Sequence, residues 1–299
     1  MATSTSPAPS HQQPRRQGEP GPGVNFGRVL KSEWIKVTTV PSTVILIVST
    51  VVVMVGLAAL AAWAISITQQ DLGSSGAPQG GPGGPGGPGS DFDPASQAWE
   101  IPSSGLIFGQ LLIASLAVVL IASEWATGMI RSTMVAVPKR TPALLAKNVI
   151  IAIIAFVVGA VSAFLSYVVA QPILAGEDLD FAITTEGVLP SILNSGSYLA
   201  FIAVISMGIG TLLRNTAGGV VTAVALFFVV PVIIVNLLSG LADWIPDAAR
   251  FLPTNAGNQL IAISTGSDEL TQFQGGLVMA AWALVLLVAS LVVTRKRDV

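Results

Sequence analysis

The sequence contains no cysteine and one histidine, His11, which lies in a polar N-terminal stretch. Disulfides, thiolate metal sites and a cysteine nucleophile are therefore excluded. A histidine-based metal cluster or a Ser-His-Asp triad within the apolar body is excluded as well. Charge is also scarce: 10% of the residues are Asp, Glu, Lys or Arg, against about 25% in soluble domains. The net charge of −2 leaves no basic footprint for nucleic acid. No glycine is followed by lysine, so the phosphate-binding pattern G-x-x-x-x-G-K-[ST] is missing. If ATP drives this protein, another chain hydrolyses it.

What the chain has is apolar length. Of its 299 residues 52% are hydrophobic, and the mean hydropathy is +0.74. Such a chain would expose large greasy patches in water, which makes a bilayer its expected solvent. Residues 1–24 are rich in Ser, Pro, Gln and Gly without apolar periodicity and read as a disordered tail. Residues 25–40 differ. Phe26, Val29, Leu30, Trp34 and Val37 recur at helical spacing, with Arg28, Lys31 and Lys36 among the polar positions. A basic amphipathic helix carrying a tryptophan, just before a long apolar run, suits a membrane surface.

Six uncharged apolar runs follow, at 44–67, 102–122, 148–170, 191–213, 217–238 and 276–294. Each approaches or exceeds the length needed to cross a ~30 Å hydrocarbon core. The expected fold is an all-α integral membrane protein with six transmembrane helices, occupying 25–299. Residues 68–101 form a Gly/Pro-rich linker loop, and 239–275 mix Pro and charge with Leu, Trp and Phe. That mixture predicts short re-entrant or surface helices before the last span. With the N-terminus inside, 13 of the 14 basic residues fall on the cytoplasmic side, Arg250 being the exception. The basic bias therefore puts both termini in the cytoplasm. Gln110, Asn148, Asn194 and Asn236 are the amides within spans; they read as contacts between helices. No charged residue lies deep in a span, which disfavours an ion-coupled carrier.

The loop 123–147 carries most of the mid-chain charge: Glu124, Arg131, Lys139, Arg140 and Lys147. Glu124 falls at a helix C-terminus, where the dipole disfavours a carboxylate. A partner is therefore expected, either Arg131 or a basic group on another element. Gly128 permits a sharp bend or a close backbone approach. Pro138 and Pro142 bracket Lys139 and Arg140, ending one helix and starting the next.

The order Glu124, Thr127-Gly128-Met129-Ile130-Arg131, Thr133, Pro138-Lys139-Arg140 resembles the E-x-x-x-G-T-x-R…(P)-x-R loop of ABC-2 type exporter permeases. It departs from that pattern in placing Thr127 before Gly128 and Met129 where the family often has Thr. The resemblance covers about 25–297. It implies a transport subunit, not an enzyme, that moves substrate by alternating access in a bacterial plasma membrane. It further implies a separate P-loop ATPase that binds ATP and Mg and docks on the loop, with no cofactor in this chain. Two permease subunits would work together, as a homodimer or a heterodimer. Glu124, Gly128, Arg131, Pro138, Lys139 and Arg140 would then form the coupling loop. Phe26, Leu30, Lys31, Trp34 and Lys36 would form the interfacial helix against membrane lipid. A stand-alone channel or carrier, or a non-transporting scaffold, are the alternatives.

Overall fold

The structure is a computed structural model that describes residues 25–74, 94–129, 140–234, 238, 240–242, 244–263 and 269–296. The tail 1–24, the Gly/Pro repeat of the linker and Asn236 lie outside the described residues. The helices in chain order are α1 (Phe26–Thr39), α2 (Pro41–Ser74), α3 (Pro94–Ser104), α4 (Leu106–Ala126), α5 (Arg140–Leu174) and α6 (Val188–Leu213). They continue with α7 (Thr216–Val224), a π-helical turn (Ala225–Val229), α8 (Val230–Ile233), α9 (Trp244–Ala249), α10 (Pro253–Ile261) and α11 (Gln272–Lys296). No strand occurs among the described residues. Among the described residues, six helical stretches are long and apolar enough to cross a membrane.

The helices run past the apolar windows read from the sequence. α2 has 34 residues and α5 has 35, because hydropathy marks only the apolar middle of a helix whose polar ends continue the same backbone. The loop 123–147 shortens accordingly. Glu124 lies in the last turn of α4, and Lys147 lies in the third turn of α5. Pro142 falls in the first turn of α5, where its missing N–H would have no helical partner anyway.

α6 is the centre of the bundle and packs against α4, α5, α7, α10 and α11. α2 and α11 are peripheral. Val52 on α2 is 63% exposed and Leu284 on α11 is 61% exposed, an apolar outer surface that fits lipid better than water. Close crossings use small residues. α2 passes over Gly105 and Gly109 at Met54, where a Cβ on Gly105 would lie 2.5 Å from the Met54 Cα and carbonyl oxygen.

The segment 239–275 does form short helices. α9 stays at the surface, with Trp244 68% exposed. α10 instead turns back into the bundle between α6 and α11. Trp282, ten residues along α11, donates its indole N–H to the Phe251 carbonyl at 2.9 Å. Ten residues of helix rise about 15 Å, so α10 starts near mid-height. It ends where Ser191 and Asn194, in the first two turns of α6, donate to the Ile261 and Leu260 carbonyls at 2.6 and 2.9 Å. These carbonyls have no partner within α10, so two polar residues of an apolar helix complete it. The π-helical turn has a matching cause. Pro231 has no N–H for the Phe227 carbonyl, and the Thr254 hydroxyl of α10 donates to that carbonyl at 2.7 Å.

Gly105→Ala is expected to lower stability by about 1–3 kcal/mol, because backbone must move to admit the methyl group. Gly56→Ala, with nothing within 4 Å of the added carbon, serves as its control. Thermal midpoints by size-exclusion chromatography check this; equal midpoints for the two variants would contradict the crossing.

Candidate functional site: a buried charge cluster at the basic end

One end of the bundle gathers the basic groups. α1, the end of α4, the start of α5, the α6–α7 turn and the end of α11 meet there. Arg295 donates to the Thr141 hydroxyl at 3.0 Å, and the Arg214 guanidinium lies 3.9 Å over the Trp125 ring. Arg214 itself adopts φ +54° at the α6 C-cap, which turns the chain sharply into α7.

Four charged side chains converge where α1 crosses α4 and α5. Glu33 is 1% exposed, Glu124 3% and Lys147 6%. The Lys147 ammonium donates to Glu33 Oε2 at 2.5 Å and to Glu124 Oε1 at 2.7 Å. The half-buried Lys36 ammonium lies 2.7 Å from Glu33 Oε1 and 3.6 Å from Glu124 Oε1. Two carboxylates and two ammonium groups make the cluster neutral. Glu124 Oε2 has no hydrogen-bond partner among the described residues.

The local sequence explains the meeting. Glu33 falls between Val29 and Val37 on one face of α1, and all three are buried. Val29 packs with Ala143 and Ala146 of α5, with Leu30 beside them. The small alanines let α1 lie close to α5, and that approach brings Glu33 to Lys147. The same geometry stabilises the charged forms. Burial alone would raise the Glu33 carboxyl, but the ammonium groups of Lys147 and Lys36 outweigh it and hold it below its ordinary value of 4.5. Burial alone would lower Lys36; the Glu33 and Glu124 carboxylates outweigh it and hold the amine above 10.5.

The residues proposed from sequence are placed as follows. Glu124 is buried in the cluster, and its described partners are Lys147 and Lys36. Arg131, Pro138 and Lys139 lie outside the described residues, so the suggested Arg131 pairing does too. Arg140 is the first residue of α5; its side chain is also outside. Gly128 has φ +71° and nothing within 4 Å of an added Cβ. It therefore serves a sharp bend just after α4, and no backbone of the described residues approaches it closely. On α1, Phe26, Lys31 and Trp34 are exposed and Leu30 is half-buried. Lys36 joins the cluster. Glu33 was not singled out from the sequence, and Lys147 was named there only among the charges of the loop. The available signal was Glu33 itself, a charge four residues from apolar neighbours on either side of one helical face.

No group of three or more metal-ligating side chains occurs among the described residues. The arrangement is a fastening: it ties the two ends of the loop between α4 and α5 to each other and to α1. The fold and this fastening fit a multi-pass helical membrane protein. The chain belongs to the family described as a protein of unknown function (DUF2705), which matches residues 92–299. No curated protein matches the chain.

Lys147→Met leaves two buried carboxylates short of a partner and is expected to cost about 3 kcal/mol, part of which Glu124→Gln in the same chain should restore. The lowered Glu33 carboxyl contributes stability that is present above pH 4.5 and lost as pH falls through its lowered value. The raised Lys36 amine contributes stability that is present below pH 10.5 and lost as pH rises through its raised value. Thermal midpoints against pH should therefore fall in acid, and less steeply in Glu33→Gln; identical acid limbs would contradict the pairing.

Proposed function

We propose that the chain is the membrane subunit of an ATP-driven exporter of the ABC-2 type. The observation that carries the reading is the buried cluster that joins the end of α4 to the start of α5. A surface on which a separate ATPase pushes must be fastened to the membrane helices, and here Glu124, Lys147, Glu33 and Lys36 fasten it. The order of residues in that loop resembles the family's docking loop, and the sequence has no P-loop of its own. ATP and Mg then belong to the partner chain, and this chain supplies the path for substrate.

The cluster also suits movement. It divides into two neutral pairs, Glu33 with Lys36 on α1 and Glu124 with Lys147 across α4 and α5. Separating α1 from the other two helices breaks two contacts but isolates no charge. The cost of the step stays below that of orphaning a buried ion. Two permease subunits, identical or different, rock between inward- and outward-facing states as the docked loops move. α1 lies in the cytoplasmic surface of a bacterial plasma membrane, with exposed Phe26 and Trp34 toward lipid and Lys31 toward headgroups. Both termini are cytoplasmic, in accord with the basic bias.

The full chain, purified from its native host in mild detergent, should bring down a P-loop ATPase in stoichiometric amount. It should have no ATPase activity alone and should stimulate that of its partner. Glu124→Ala and Arg131→Ala should each lower the stimulation about tenfold or more, the scale of one lost coupling contact. A chain that comes down alone, or that conducts solute by itself in liposomes, would overturn the reading in favour of a channel or carrier.

A further inference from the structure

The end of the bundle opposite the charge cluster is acidic. Asp71, Glu100, Glu177, Asp178, Asp180, Glu186, Asp247 and Glu269 fall in its described segments, against the single base Arg250. Arg250 lies 3.8 Å from Asp247. A cavity of about 280 Å³ opens at this end, between α3, α4, α6 and α10.

The cavity is graded along its length. Its floor is polar and buried: Tyr198 and Gln110 are 1% and 2% exposed, and the Tyr198 hydroxyl donates to Gln110 Oε1. Among the described residues the Gln110 amide nitrogen reaches only the Ile107 carbonyl of its own helix, at 3.3 Å. Leucine and isoleucine side chains of α4 and α10 form much of the wall. At α3 stand Trp99, 37% exposed, and the exposed Glu100. The Glu100 carboxylate has no ion-pair or hydrogen-bond partner among the described residues, and no Lys or Arg lines the cavity. Asn258, also on the lining, makes no side-chain hydrogen bond among the described residues.

An apolar wall with a few convergent polar groups is the usual form of a small-ligand pocket. The sign of its ligand follows from the charges. The surrounding carboxylates concentrate cations and repel anions. Glu100 offers an ammonium group a counter-charge, and the Trp99 ring offers it a π-face. We propose that this cavity binds a small primary-amine ligand with an aromatic or apolar body. Its ammonium group lies between Glu100 and Trp99, and its far end points toward Gln110 and Tyr198. The site rests on the cavity alone and stands whether or not an ATPase drives the chain.

The test uses the full chain in lipid nanodiscs and two probes of nearly equal shape. Tyramine carries an ammonium group; 4-(2-hydroxyethyl)phenol carries a hydroxyl in its place. Equilibrium dialysis should show saturable binding of tyramine, one per chain, and about tenfold weaker binding of the alcohol. Glu100→Gln should weaken tyramine about tenfold and leave the alcohol unchanged. Glu177→Gln removes a carboxylate at the same end, one that accepts from Gln70 at 2.6 Å, and should change neither. Glu100 is exposed and Glu177 half-buried at the surface, so neither variant removes a core contact. Absence of saturable tyramine binding, equal binding of the two probes, or equal losses in the two variants would overturn the proposal. Saturable binding by a chain that recruits no ATPase would retain this site and overturn the exporter reading alone.

Discussion

Two carboxylates and two ammonium groups, taken out of water where α1 meets α4 and α5, set the terms for the basic end of the molecule. Each charge alone would be costly to bury, and each removed partner leaves another exposed to that cost. Glu33 is held by both lysines, and Lys147 by both glutamates. The positions of three helices are therefore linked through contacts of a few ångströms. Apolar packing of Val29 on Ala143 and Ala146 brings the backbones near enough for this; the charges then select one register, because a shift by one residue would turn Glu33 away from Lys147. The cluster thereby fastens α1 to the facing ends of α4 and α5.

The rest of the bundle obeys a second demand, that backbone polar groups away from water find partners. Pro231 breaks the helical ladder at Phe227, and Thr254 of α10 repairs it. α10 itself ends among apolar helices, and Ser191 and Asn194 of α6 donate to its last carbonyls. These bonds tie α10 to its neighbours from mid-height to the acidic end. They also place Thr254 and Asn258 beside Gln110 and Tyr198. The two ends thus differ in kind. At one end the buried charges are neutralised within the cluster; the other holds open volume and, among the described residues, the unpaired Glu100 carboxylate.

Much of the architecture was legible in the sequence because a bilayer imposes a simple code. Six apolar runs correspond to six long helical stretches among the described residues, and Asn215 caps the start of α7 by accepting from the Gly218 N–H at 2.8 Å. The short helices before the last run were expected from Pro and charge among greasy residues. That one of them folds inward was left open, since its depth depends on hydrogen bonds from α6, α7 and α11 that no local pattern encodes. The charge cluster was half legible. Glu124 demanded a partner by its place at a helix end, but the partners are Lys36, 88 positions before it on α1, and Lys147, 23 positions after it on α5. Only the crossing of three helices decides that pairing. Lys36 was read as part of a lipid-facing basic set because helical periodicity shows which residues share a face and leaves the neighbour of that face unnamed.

The central claim is that α1 is fastened to α5 by this cluster, and the absence of native cysteine makes it directly measurable. A Val29→Cys, Ala143→Cys chain in native membranes would be treated with a mild oxidant, in an otherwise unchanged background and again with Lys147→Met. The account predicts a disulfide in the first and a clearly lower yield in the second. No disulfide in the first, or equal yields in both, would contradict it.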